Sequence, residues 1–218
     1  MSAADGQRLE HLDKTTILAS MHPELRKKIS SLSIEATLDS TNSALQRLPV
    51  TQQHAVVILA EHQSEGRGRR GRQWYSPFGK NLYLSLGWRF DNPLSELACL
   101  SLVVALAAAQ ALARAGLKHH RVKWPNDIFL EGRKLCGCLV EVKGDVQGPS
   151  YAVLGVGINV HMPATQAATG IDQPWTDLHS QLPGYSRNVL AALLLEEMIS
   201  QLDLFATQGF VPFKTPWK

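Results

Sequence analysis

Cysteine is scarce in this 218-residue chain: Cys99, Cys136 and Cys138 are the only three, and no two of them form a C-x-x-C pair. An odd count without that spacing excludes a disulfide framework and a structural zinc site, and it fits a reducing cytoplasm. No H-E-x-x-H stretch or carboxylate at metal spacing accompanies His119 and His120, so the histidines receive no catalytic role and no metal ligands are assigned. The first twelve residues are polar and charged and lack the apolar stretch of a secretory signal. The most apolar stretch, residues 97–109, falls well short of the roughly 20 residues that span a bilayer. It reads as a core helix, and no membrane partner is expected. Gly155-Val156-Gly157-Ile158-Asn159 lacks the third glycine of a dinucleotide fingerprint, and His161-Met162-Pro163 follows where a helix should begin, which excludes nicotinamide binding. No internal repeat is visible.

What is present suffices for one sizeable core. Hydrophobic residues make up 44% and charged residues 19%, so a single domain is the default. The net charge of +3 is modest but uneven, because Arg67, Arg69, Arg70 and Arg72 fall within six positions, and that cluster invites an anion.

Along the chain, residues 34–38 alternate as a half-buried strand, Asp39-Ser40-Thr41-Asn42 cap a short helix that Pro49 ends, and residues 55–60 read as a strand buried on both faces. Residues 64–72 contain no hydrophobic side chain and are expected to be a mobile loop. A strand over 81–89 precedes a long helix from the Asn92 cap to about Gly116. Apolar segments at 122–124, 128–130, 135–142 and 151–160, broken by turn signals, predict a meander. Residues 161–185 are loop-like, and Ser186 caps a second long helix over 188–208 that ends before Gly209. Strands flanked by two long helices without strict alternation predict an α+β fold, a mixed α/β sandwich layered on one sheet.

Three stretches can carry chemistry. In the first, Gly66-Arg67-Gly68-Arg69-Arg70-Gly71-Arg72, arginine forks match carboxylate and phosphate oxygens and glycines let backbone wrap a ligand. Such a loop can neutralise a carboxylate and an α-phosphate together, though on its own it reads equally as a solvated charge run or an RG-rich nucleic-acid segment. In Lys123-Trp124-Pro125-Asn126-Asp127 a turn leaves an amide and a carboxylate at a strand rim; the alternative is an ordinary Pro-Asn turn with Trp124 packed in the core. In Lys134-Leu135-Cys136-Gly137-Cys138-Leu139-Val140-Glu141, a mid-strand glycine signals close approach of a backbone or ligand, and Lys134 can stabilise charge on a phosphoryl group or be simply exposed. Both cysteines fall on one strand face and read as small core residues. At the end of the 151–160 strand, Asn159 can offer a donor and an acceptor to an adenine edge, or close a tight strand end.

In identity and order, Asp39 to Asn42, Gly66 to Arg72 with Trp74, Lys123 to Asp127, Lys134 to Glu141 and Gly155 to Asn159 resemble the bacterial biotin protein ligases. The resemblance runs over nearly the whole chain, and it implies the biotin-lipoate ligase catalytic fold, akin to class II aminoacyl-tRNA synthetases. It implies that ATP activates biotin to biotinyl-5'-AMP, with magnesium accompanying ATP, and that biotin then passes to a lysine of the biotin carboxyl carrier protein of acetyl-CoA carboxylase or another carboxylase. Ser40, Thr41, Asn42, Gln63, Gly66, Arg67, Gly68, Arg69 and Lys134 would bind biotin, with Arg69 and Lys134 catalytic. Arg72, Trp74, Asn126, Asp127 and Asn159 would hold the adenylate.

Many relatives carry an N-terminal helix-turn-helix domain and a C-terminal SH3-like domain. Here residues 1–13 read as a linker and 14–218 as the catalytic domain, so operator repression and nucleic-acid binding are not expected. Homodimerisation is left open. The lipoate ligases share the adenylation logic, but their Arg-Arg-x-Ser-Gly-Gly-Gly stretch does not occur in this sequence.

Overall fold

Periodicity shapes the chain into one seven-stranded mixed sheet with its long helices on one face. The computed structural model describes residues 10–144, 147–163, 171 and 173–214. Helix α1 (Lys14–Ala19) is capped by Asp13, whose carboxylate accepts from Thr16 N at 2.7 Å. Helix α2 (Pro23–Arg26) opens on proline, and strand β1 (Ser31–Glu35) follows. The expected strand over 34–38 is therefore displaced toward the N-terminus. Its alternation outlasts its pairing because Leu38, which forms only an isolated bridge to Gln63, still packs on the Leu45, Ile58 and Val153 cluster.

Helix α3 (Thr41–Gln46), with Ser40 at its N-cap, crosses from β1 to the parallel strand β2 (Val56–Ala60). Antiparallel β3 (Leu82–Phe90) comes next. The long apolar helix starts later than expected: residues Leu94–Cys99 form 3-10 turns, α4 runs over Leu100–Arg114, and Cys99 occupies the N-cap. Asn92 does not cap it, because its amide is engaged by Glu96 Oε2 at 2.9 Å. The helical run Leu94–Arg114 is long and apolar enough to cross a bilayer by length and composition, but its buried side chains belong to the core.

Strands β4 (His120–Lys123), β5 (Asp127–Leu130), β6 (Arg133–Gly144) and β7 (Ser150–Ile158) form the predicted meander. They complete the sheet order β1-β2-β3-β7-β6-β5-β4, in which every pairing after β1-β2 is antiparallel. Helix α5 (Arg187–Gln208) is capped as expected by Ser186, whose hydroxyl accepts from Val189 N at 3.2 Å, and it ends at Gly209 with φ of 61°.

Period-two alternation divides the sheet's faces. Leu82, Leu84, Leu86, Trp88 and Phe90 of β3 and Ala152, Leu154, Val156 and Ile158 of β7 meet α4 and α5 in the main core, and Cys136 and Cys138 join them. The opposite face carries Tyr83 and Ser85 of β3, Gly155 and Gly157 of β7, and Gly137 of β6. The register aligns these in two rows. Tyr83, Gly157, Gly137 and Asp127 lie side by side across four strands, and Ser85, Gly155 and Leu139 lie side by side across three.

Residues 10–13 are tied to this body. Leu12 N donates to Glu61 Oε1 at 2.7 Å, and Arg187 Nη1 donates to Glu61 Oε2 at 2.7 Å and to Asn81 O at 3.1 Å. The Arg187 and Glu61 side chains are only 4% and 6% exposed, so removing the cation strands a carboxylate out of water. Arg187→Met should lower unfolding free energy by about 3–5 kcal/mol in urea titration; an unchanged midpoint would contradict this account of the anchor.

Candidate active site

The site is built on the row of glycines. A Cβ on Gly157 would lie 2.7 Å from Trp74 Cε2, and one on Gly137 would lie 2.9 Å from Trp74 Cζ3, so the indole rests on bare backbone. A Cβ on Gly155 would come within 2.9 Å of Asn42 Cγ. The close approach expected at Gly137 is therefore made by a side chain of this same protein. Trp74 Nε1 is buried with no hydrogen-bond partner among the described residues. Tyr83 closes the row at one end; its buried hydroxyl donates to Pro77 O at 3.0 Å, and burial pushes its pKa well up.

Two cavities meet at Trp74 and Lys134. The first, of about 480 Å³, is lined by Ser40, Thr41, Asn42, Gln63, Arg67, Gly68, Arg69, Arg72, Trp74, Asn126, Asp127 and Lys134. Of the predicted site residues only Gly66 and Asn159 lie outside its wall. The second, of about 630 Å³, is lined by Asn159, Trp74, Tyr75, Pro77, Phe78, Met162 and Trp175 among others. Gly66 supports the first cavity from beneath: its carbonyl accepts from Trp74 N at 2.7 Å, and a Cβ there would crowd Ser76 Oγ at 2.8 Å.

The Ser40 cap and the first turn of α3 bring their residues in by backbone geometry. Ser40 is 3% exposed and its hydroxyl makes no cap bond, so it faces the cavity. Thr41 N donates to Gln63 Oε1 at 2.9 Å, and Gln63 Nε2 donates to Ser76 Oγ at 3.1 Å. Asn42 Nδ2 donates to Leu139 O at 3.2 Å and to Glu141 Oε2 at 2.8 Å.

The arginine segment, expected to be a mobile loop, follows a turn-rich path with defined partners. Arg67 pairs with Gln73, Gly68 N donates to Arg72 O at 2.7 Å, and a 3-10 turn spans Arg69–Gly71 with Arg70 in the left-handed region at φ 58°. Polar partners distant in sequence supply the ordering that apolar burial cannot. Arg67 forks onto Glu141 at 3.2 and 2.8 Å. Arg69 Nη1 donates to Asn126 Oδ1 at 3.0 Å, and Asn126 in turn grips β6 through Nδ2 to Cys138 O at 2.6 Å. Lys134 is not a free surface lysine, since its side chain is 13% exposed and its ammonium lies 3.0 Å from Asp127 Oδ2. It also sits 5.3 Å from the Trp74 ring centroid.

One alternative and one expectation do not hold. Trp124 is 69% exposed, so the alternative that packs it in the core fails; it follows the end of β4 at Lys123 and lines the first cavity beside Pro125. Asn159 offers a ligand no free donor, because both bonds from Nδ2 go to backbone carbonyls, Thr176 O at 3.0 Å and Lys134 O at 3.4 Å. Only its Oδ1 is left to accept. Sequence reasoning missed Tyr83, Ser85, Glu141 and Trp175. For Tyr83 and Ser85 the alternation of β3 was a usable signal; Trp175 sits in an aperiodic segment that joins Lys134 by an isolated bridge.

Arg47 clamps the turn that holds Ser40 to Asn42, reaching Asp39 at 2.6 and 3.0 Å. Those hydrogen bonds, partly opposed by desolvation, lower the Asp39 pKa from 3.8 to about 2. The clamp's contribution to stability is thus complete above the ordinary carboxylate value and disappears as pH falls through about 2. A carbon-detected NMR titration should show the Asp39 carboxyl with a midpoint near 2, moving toward the ordinary value in Arg47→Ala. A wild-type midpoint near the ordinary value would refute the clamp.

Comparison with known proteins matches residues 34–159 to the biotin/lipoate A/B protein ligase family. The bifunctional ligase/repressor BirA of Escherichia coli (strain K12) is 39% identical over 188 residues, covering 86% of this chain and 58% of that protein. The biotin--[acetyl-CoA-carboxylase] ligase of Paracoccus denitrificans is 34% identical over 192 residues, covering 84% of this chain and 77% of that protein. The chain spans 50 to 58% of the length of the BirA proteins that it matches. Among solved structures, biotin protein ligase from Aquifex aeolicus in complex with biotin and ATP superposes with a TM-score of 0.72 at 26% identity, covering 87% of this chain and 78% of that one.

Proposed function

Because the chain belongs to the biotin/lipoate A/B protein ligase family, we propose that it activates biotin with ATP to biotinyl-5'-AMP and transfers biotin to a specific lysine of a biotin carboxyl carrier protein. The observation that carries this reading is the convergence of Arg67, Arg69 and Lys134 on one cavity that opens, at Trp74, into an aromatic one. A carboxylate and an α-phosphate need cations at their junction, and a flat base needs the aromatic walls. The Aquifex relative binds both ligands, biotin and ATP, together.

In this reading Ser40, Thr41, Asn42, Gln63 and the backbone at Gly66 receive the ring system of biotin. Arg67, Gly68, Arg69 and Lys134 receive its carboxylate and the adenylate phosphate. Arg72, Trp74, Asn126, Asp127 and Asn159, joined by Trp175, hold the nucleotide, with Asn159 Oδ1 accepting from the exocyclic amine of adenine. The carboxylate oxygen attacks the α-phosphorus, the bond to the bridging oxygen breaks, and pyrophosphate leaves. A deprotonated lysine amine of the carrier then attacks the acyl carbon, forming the amide and releasing AMP. The protein's contribution is positioning and stabilisation of charge that develops on the phosphoryl oxygens.

Among the described residues no group of three or more His, Cys, Asp or Glu side chains could cage a metal. We place magnesium on the phosphates of ATP, as part of the substrate, since this ion is commonly held by substrate phosphates with few protein ligands. We assign residues 14–218 to the catalytic domain and place the reaction in the cytoplasm, in keeping with three unpaired cysteines.

Biotin-dependent exchange of pyrophosphate into ATP tests the first step. Lys134→Ala should slow exchange by about 10²–10³-fold while changing biotin affinity far less; equal losses in both would reject the role of Lys134. Arg69→Gly should keep part of the exchange but release the intermediate, seen as biotinylation of bystander proteins. Labelling confined to the carrier would count against Arg69 as its retainer.

A further inference from the structure

Two residues on the wall of the first cavity, Asn42 and Arg67, share one support that does not line it: the carboxylate of Glu141 on β6. Oε2 accepts from Asn42 Nδ2 and from Arg67 Nη2, each at 2.8 Å, and Oε1 accepts from Arg67 Nη1 at 3.2 Å. A carboxylate can only accept, and so can Leu139 O, which takes the same Nδ2 at 3.2 Å, so the two together make Asn42 turn its NH₂ toward β6 and its Oδ1 toward Ser85. Ser85 Oγ is fully buried, 2.6 Å from Asn42 Oδ1 and 2.8 Å from Thr41 Oγ1. It has one proton. Given to Asn42, that proton leaves Ser85 to accept from Thr41, whose own hydroxyl proton is then unavailable to Gln63 Oε1, 3.2 Å away. Gln63 Oε1 takes the Thr41 backbone N–H and keeps one lone pair, and Gln63 lines the cavity.

We propose that Glu141 is a positioning residue for biotin. With Leu139 O it fixes the proton direction of the Thr41–Ser85–Asn42 chain, so that Gln63 can accept from a ureido N–H, and it holds the Arg67 fork in place for the ligand's carboxylate. This rests on the biotin reading and assigns a residue to it. A glutamine at 141 cannot accept from all three of these N–H groups: its NH₂ opposes either Arg67 Nη1, or Arg67 Nη2 and Asn42 Nδ2 together, so the fork is unseated in both cases and in the second the direction of the chain is left to Leu139 O alone.

Titration calorimetry on Glu141→Gln should show biotin Kd raised about tenfold or more, with exchange rate at saturating biotin and KM for ATP within about twofold of wild type. In a Thr41→Val background, where no hydroxyl proton can be redirected, the Glu141→Gln effect should shrink to the share contributed by Arg67. An unchanged Kd would overturn the proposal, as would affinity and exchange rate falling together, which marks a purely structural residue. If Glu141→Gln does not fold, Ser85→Ala cuts the same chain at its centre, and an unaltered biotin Kd in that variant overturns the proposal equally. Wild-type protein that fails to bind biotin would overturn the functional reading itself, and this inference with it.

Discussion

Everything in this site depends on one absence of side chains, the glycines at 137, 155 and 157 on adjacent strands. Their pairing opposite Tyr83, Ser85 and Leu139 clears a trough down to backbone on one face of the sheet, while the other face is packed by α4 and α5. Trp74 and Asn42 settle into that trough, closer than any Cβ would allow. Once they are seated, the arginine segment preceding Trp74 and the helix that carries Asn42 are brought to the same place. A larger residue at any of the three positions would displace a side chain that the rest of the site is built upon.

Gathering cations around such a trough carries an electrostatic cost, which the fold offsets by giving each one a partner on or beside β5 and β6. Arg67 has Glu141, Arg69 has Asn126, and Lys134 has Asp127. These partners give defined polar contacts to a segment with no apolar residue. The framework is stiffened from the far side of the sheet by the buried Glu61–Arg187 pair, two residues from Gln63.

Much of this was legible in the sequence, for reasons that can be named. Short apolar segments broken by turn signals marked the meander, Ser186 announced α5, and the paired cysteines fell on the core face as their spacing required. Nearly all site candidates line one cavity because short motifs carried them there as groups. What escaped depends on register, which joins residues far apart in the chain. Nothing local says that Ser85 faces Gly155, that Glu141 stands behind Arg67, or that Trp175 bridges to Lys134. The same limit explains the arginine segment: its composition reads as unstructured because the carboxylate and amide that order it lie elsewhere. Trp124 shows the converse, since an apolar side chain just past a strand end need not turn inward.

The central claim is that Arg67, Arg69 and Lys134 act on a single junction between the two cavities. A crystal structure with a non-hydrolysable biotinyl-adenylate analogue tests it most directly. The account predicts the ring of biotin beside Ser40 to Asn42 and Gln63, adenine against Trp74 and Trp175, and the linking phosphate within hydrogen-bond reach of Arg69 and Lys134. A ligand bound elsewhere, or those three cations directed away from its linkage, would contradict it.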